Sequence, residues 1–179
     1  MKKIFFLALT LILMGCSKPI FQGADISNGP IGGDFTLTDH LGKKRSLADF
    51  KGKVVVLFFG FTQCPVVCPT TLSELKRSMQ QLGELEKDVQ VLFVSVDPDR
   101  DTQAILAEYI PAFHPQFLGL RGSNEQLTAI TQKFRVIYQK QPLSEGYTMD
   151  HTAGSYLIDK AGNTRVMINY GAGADVFSH

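Results

Sequence analysis

Val54-Val55-Val56-Leu57-Phe58-Phe59 runs into Gly60-Phe61-Thr62-Gln63-Cys64-Pro65-Val66-Val67-Cys68-Pro69, and an amphipathic stretch follows from Thr70 to Leu82. The apolar run is short, β-branched and aromatic, which predicts a strand buried on both faces. In the stretch after it, Leu72, Leu75, Met79 and Leu82 recur at i, i+3, i+7 and i+10, one apolar stripe of a helix. Two cysteines therefore lie in the loop that leaves the carboxyl end of a central strand and enters a helix, where open α/β sheets gather their ligands. Pro69 suits the first helical position, so Cys68 is expected at the N-cap, its sulfur facing free N–H groups and the positive end of the helix dipole. A thiolate there is stabilised, and the Cys68 pKa is expected below the ordinary thiol value of about 8.5. Two thiols so placed serve disulfide exchange or a soft metal; their C-x-x-x-C spacing is one residue wider than the C-x-x-C of dithiol redox motifs.

Working outward, Asp34 to Asp39 alternates Phe35 and Leu37 with polar neighbours, a half-buried strand, and Leu41-Gly42-Lys43-Lys44 turns it. Val89 to Val96 is a second buried strand, closed by Asp97-Pro98. Thr102 to Ile110 reads as a short helix and Gln116 to Leu120 as a small strand. From Ser123, a helix carries Leu127, Ile130, Phe134 and Ile137 on one face. After a polar loop with Gly146, Ser155–Asp159 and Arg165–Tyr170 form a hairpin across Lys160-Ala161-Gly162-Asn163, and Val176 and Phe177 read as the start of a further helix. A strand–helix–strand unit followed by helices and an antiparallel hairpin, with cysteines at the first strand–helix junction, predicts an α/β, thioredoxin-like fold: a central mixed sheet flanked by helices, with an N-terminal strand extension.

The front of the 179-residue chain reads differently from the rest. Lys2 and Lys3, an apolar Ile4 to Met14 and then Gly15-Cys16 form a secretory signal, too short to span a bilayer as a mature helix, with a small residue before cysteine as in a bacterial lipobox. The expected organisation is a signal peptide over 1–15, a tether over 16–33 beginning at a lipidated Cys16, and one domain over 34–179. Removing 1–15 takes two lysines and no acid, leaving 16 basic against 17 acidic residues, so nothing in the charge argues for nucleic acid. With Cys16 acylated, the remaining thiols are Cys64 and Cys68. A staple closing so short a loop constrains little in an exported protein, which favours redox or metal chemistry.

Three blocks carry a family resemblance: Gly60-Phe61-Thr62-x-Cys64-Pro65-x-Val67-Cys68-Pro69, Val94-Ser95-Val96-Asp97-Pro98-Asp99-Arg100-Asp101-Thr102, and Asp150-His151-Thr152-Ala153. In this order they resemble the signature blocks of the Sco/SenC proteins, over about residues 34 to 172. The resemblance implies a membrane-anchored, thioredoxin-like copper protein that delivers copper to the dinuclear copper centre of cytochrome c oxidase or reduces the cysteines there. It implies copper ligation by Cys64, Cys68 and His151; thiolates suit Cu(I), and imidazole suits Cu(I) or Cu(II). Asp150 and the neighbouring backbone are candidates to orient the ring. The implied partners are a copper-accepting oxidase subunit or a copper donor protein, and the implied place is a bacterial membrane, with the domain outside the cytoplasm. Many family members carry His where this chain has Gln63 and Asp where it has Val66; Val66 makes the cysteine loop more apolar.

Other candidates have ordinary readings. His40, His114 and His179 are expected to be solvated, and Met149 to fill the core rather than bind metal. Asp97, Asp99 and Asp101 alternate like a hard-metal loop, but the turn glycine and closing glutamate of a calcium loop are missing, so they read as acids before a helix N-terminus. Two functions of different classes use the same cysteines: a metallochaperone that passes on one copper ion, or an enzyme, a thiol–disulfide reductase or peroxide-reacting protein.

Overall fold

The computed structural model describes residues 21–178; the signal segment, Cys16 and His179 lie outside them. The expected buried strand is β4 (Val54–Gly60), paired parallel along its whole length with β5 (Val89–Ser95) and antiparallel with β9 (Gly154–Ile158). Its side chains are buried on both faces from Val55 onward, as a continuous apolar run requires. β6 (Leu118–Arg121) extends the sheet parallel to β5, and β2 (Thr36–Asp39) and β3 (Lys44–Ser46) complete that flank. On the other flank β10 (Thr164–Asn169) pairs with β9, and β1 (Ala24–Asp25) with β10. The resulting mixed order is β1-β10-β9-β4-β5-β6-β2-β3.

Helices cover both faces. Phe58, Phe93 and Gly60 point toward α1 (Val67–Leu82) and α2 (Gln103–Tyr109): Phe93 lies 6.2 Å from the Tyr109 ring, and Gly60 lies against Cys68. Phe59 and Tyr156 face the other way, against Phe134 of α3 (Asn124–Phe134). A Cβ on Gly60 would stand 2.9 Å from the Cys68 sulfur, so glycine is what lets the cysteine helix approach the strand end this closely. α4 (Asp175–Ser178) docks on α1 through Ser78 Oγ, which donates to the Ala174 carbonyl at 2.7 Å.

Several expectations change. The tether is part of the domain from Ala24 onward: β1 joins the sheet, Ile26 and Ile31 pack on the core, and Gly32 N–H donates to the Lys133 carbonyl at 2.8 Å. α3 starts where expected, with Ser123 and Gln126 forming a capping box, but it ends at Phe134 because Arg135 takes a left-handed φ of 56°. Ile137 therefore leaves the apolar stripe and is 78% exposed. The polar loop is a hairpin of its own, β7 (Tyr138–Pro142) and β8 (Tyr147–His151), turned at Gly146 with φ 73° and not hydrogen-bonded into the main sheet. Its sequence is too polar to carry a period-2 signal. His40 is buried, its Nδ1 accepting from Gly119 N–H at 3.1 Å, and His114 is half-buried against Glu86. Met149 is buried in the core, as expected. Among the described residues no helix is long and apolar enough to cross a membrane.

Candidate metal centre

The site lies where β4 ends. After Gly60 the chain turns through Phe61 and Thr62, and Cys64 N–H donates to the Phe61 carbonyl at 3.3 Å. Val66, exposed and with φ −136°, is the N-cap, so the helix begins two residues earlier than the proline implied. Cys68 is the second helical residue rather than the cap, and Pro69 is tolerated because first-turn N–H groups have no helical partner. This reverses the roles expected of the two thiols. Cys64, half-buried on the loop, is the one presented to the helix start: the Cys68 backbone N–H points at its sulfur at 3.4 Å. The hydrogen bond from the Cys68 thiol, with the N–H groups of Cys68, Val66 and Val67, lowers the Cys64 pKa to about 5. Cys68 is fully buried; its bond to Cys64 and desolvation push its pKa up.

Thiol reactivity tests this order. In metal-free, reduced protein one thiol is expected to alkylate with a half-point near pH 5, and peptide mapping is expected to place it on Cys64. A fast thiol that maps to Cys68, or a half-point near the ordinary value of about 8.5, would overturn the assignment.

His151 reaches this place from 83 residues away. Alternation along β8 sends Met149 and His151 inward and Asp150 outward to solvent. The His151 Nε2 stands 3.9 Å from the Cys68 sulfur, its ring lies edge-on to Phe61 with centroids 5.9 Å apart, and Nδ1 contacts the Thr152 carbonyl at 3.1 Å. The ring's orienting partner is thus the Thr152 backbone and not Asp150, whose carboxylate the strand carries away from it. If Nδ1 carries the proton, Nε2 presents its lone pair to the sulfur side, the tautomer a metal ligand needs.

Two donors bonded to one metal at roughly 2.0–2.3 Å sit no more than about 4.3 Å apart, so the Cys68–His151 pair is within span. Among the described residues no three His, Cys, Asp or Glu side chains are already gathered as a metal cluster. Two thiols and an imidazole are a donor set suited to copper.

Around this pair stands a polar network that sequence reasoning did not assemble. Asp97 and Asp101 stand before α2, whose cap is Thr102, as the sequence implied, and both are fully buried. Asp101 accepts from Thr62 Oγ1 at 2.6 Å and Ser95 Oγ at 2.5 Å, as well as from Thr62 N–H, which ties the cysteine loop to the end of β5. Desolvation raises the Asp101 pKa against the bonds from Ser95 and Thr62. Asp97 accepts from Arg100 Nε and, at 2.8 Å, from the Tyr147 hydroxyl. The signal available in the sequence was the spacing of Asp97, Arg100 and Asp101 directly after a buried strand.

The SCO1/SenC family model matches residues 23–178, nearly all of the described chain. The chain belongs to the SCO1/SenC family. Among its relatives, the bovine mitochondrial SCO2 homologue is 46% identical over 135 residues, which are 73% of this SCO1/SenC chain and 50% of the relative. The chain thus spans about half the length of the mitochondrial relatives it matches. Copper-bound ScoI of Bradyrhizobium japonicum is 39% identical with a TM-score of 0.77, covering 83% of this chain and 95% of that one. A SCO1/SenC family lipoprotein of Bacillus anthracis is 30% identical with a TM-score of 0.69, covering 82% and 90%. BsSco, described as having a disulfide switch and as a member of the Sco family of cytochrome c oxidase assembly proteins, is 25% identical with a TM-score of 0.65, covering 90% and 97%. The thioredoxin-like architecture expected from the sequence is the one these Sco structures share.

Proposed function

We propose that this SCO1/SenC protein holds one copper ion through Cys64, Cys68 and His151 and passes it on during assembly of cytochrome c oxidase, tethered outside the cytoplasm of a bacterial membrane by a lipid on Cys16. The observation that carries this reading is the 3.9 Å approach of His151 Nε2 to the Cys68 sulfur, made by a strand 83 residues away in sequence. Copper supplies the cargo and the ligand bonds; the chain supplies the rest. Cys64, ionised well below neutral pH, offers a thiolate without strong base, and its place on the loop lets it turn in toward the buried pair. Cys68 gives up its proton on metal binding, which offsets the cost of ionising a buried thiol. Phe61 and the Thr152 carbonyl hold the imidazole on the sulfur side. The copper-bound and oxidase-assembly descriptions of the solved relatives support this reading, and the lipoprotein relative supports the anchor.

A second reading has its own observation. An accessible, low-pKa Cys64 backed by a buried Cys68 is the arrangement of a dithiol that attacks a partner's disulfide and then resolves the mixed disulfide. In that exchange Cys64 S⁻ bonds to one partner sulfur and the other leaves as thiolate. Cys68, losing its proton, then displaces the partner and leaves the Cys64–Cys68 disulfide, with two electrons passed to the partner. The two readings describe one site in two states.

A copper titration tests the copper reading. The reduced full chain is expected to bind one cuprous ion and the disulfide form none, because oxidised sulfurs are no longer thiolate donors. The fold is expected to survive oxidation and reduction, since the pair sits on a domain with its own core. Equal copper binding by the two forms, or loss of near-ultraviolet circular dichroism on reduction alone, would sink the reading.

A further inference from the structure

The histidine's arm is not laddered into the main sheet, so contacts made by side chains, together with the two-residue link into β9, set where β8 lies. One guanidinium bonds to both segments that carry the candidate donors. Arg100 Nη1 donates to the Tyr147 carbonyl at 2.7 Å, on the strand of His151, and to Gln63 Oε1 at 3.2 Å, beside Cys64. Its Nε is paired with the buried Asp97, which also accepts from the Tyr147 hydroxyl. The guanidinium carbon lies 3.7 Å from the Tyr147 ring centroid and 5.9 Å from that of Phe61, the ring against which His151 stands edge-on. Tyr147, Met149 and His151 project from the same side of β8.

We infer that Arg100 is a positioning residue that fastens the β7–β8 hairpin to the cysteine loop and so sets the distance between the imidazole and the sulfurs. The inference rests on the proposed ligand set of Cys64, Cys68 and His151. Asp97 holds the guanidinium at one edge, and its planar fork leaves Nη1 for the Tyr147 carbonyl and Gln63, a geometry that an ammonium cannot reproduce. Arg100 touches no donor atom itself. Its effect on a bound metal is therefore transmitted through the two segments it joins, chiefly the strand that carries His151.

A double-mutant cycle on the reduced full chain tests this, with cuprous ion as the probe and a competing chelator to read affinity. Arg100→Lys keeps the charge beside Asp97 and gives up the fork. It is expected to weaken cuprous binding roughly tenfold, the scale on which partners behind a metal ligand act, and to weaken the copper–nitrogen signal in X-ray absorption. In the His151→Ala background the same substitution is expected to cost much less, because there is no imidazole left to place. An equal loss in both backgrounds, or no loss with His151 present, would overturn the inference. No effect of His151→Ala on its own would instead remove the ligand set and the inference with it. The melting midpoint of the metal-free variant monitors folding. Should Arg100→Lys not fold, Tyr147→Phe, which deletes only the bond to Asp97, carries the same cycle with an expected loss of several-fold, and a loss that persists undiminished without His151 would overturn the inference.

Discussion

Replacing His151 by alanine is expected to lower cuprous affinity by roughly a hundredfold or more while leaving the dithiol and its disulfide in place. Loss of a partner that merely orients a ligand costs about 10- to 100-fold, and here the donor itself is removed. Both thiols sit on another segment, anchored by the Phe61 carbonyl and the start of α1, so their chemistry does not depend on the ring. The metal-free fold is expected to change little, within about 1 kcal/mol, because His151 is only half-buried and its partners are one aromatic edge and one carbonyl. In cells the variant is expected to behave like a deletion if copper delivery is the task, with partial rescue by added copper. Retained activity, combined with loss in Cys64→Ser and Cys68→Ser, would point to the thiol-exchange reading. Unchanged cuprous affinity would remove His151 from the site.

Asp101→Ala is expected to be the most damaging polar substitution at the site, at about 3 kcal/mol. It deletes a fully buried acceptor and leaves the Thr62 hydroxyl, the Thr62 N–H and the Ser95 hydroxyl without it, at about 1–3 kcal/mol for each group left unsatisfied. Hydroxyls can rotate to new partners, which keeps the total below the sum. Asp101→Asn is expected to be much milder, because a neutral amide resembles the protonated acid and Ser95 Oγ can accept from it. The pH dependence has a definite sign. The folded pKa of Asp101 is raised, so its contribution is fully present below the unfolded value of about 3.9 and is lost as pH rises through the folded value. The deficit of the Asn variant relative to wild type should therefore narrow as pH rises toward neutrality. Denaturant midpoints across pH measure this; a deficit that widens would contradict the assignment.

The central architecture was legible because it rests on burial. A run such as Val54 to Phe59 can be satisfied only between two covered faces, and the Leu72, Leu75, Met79 stripe only as a helix against it. That His151 stands near the cysteines could be anticipated only through the resemblance, since nothing local ties Asp150-His151-Thr152 to them. What the residues misled on follows from local rules overruled by geometry. Pro69 marked a helix start, yet the first turn admits proline beyond its first position, and moving the boundary back exchanged the roles of Cys64 and Cys68. Ile137 continued a helical period that Arg135 had already broken. The burial of Asp97 and Asp101 was not legible because their partners Tyr147, Thr62 and Ser95 converge on them only in three dimensions. The β7–β8 hairpin was silent because most of its residues are polar, and the few that turn inward, Tyr138, Tyr147 and Met149, make too sparse a pattern to register as alternation.

The 83-residue separation between Cys68 and His151 also orders events in time. Loop-closure entropy favours the near contact first: two thiols four residues apart meet in almost any collapsed chain, whereas the imidazole arrives only once the sheet has formed and its outlying hairpin has been seated. A newly made chain that meets an oxidant can therefore be oxidised across Cys64 and Cys68 before any three-donor set exists. On the proposed ligand set, copper held by all three donors is a certificate of completed folding. Such an ion binds the native state and not its precursors, and so shifts the folding equilibrium in proportion to its own free concentration.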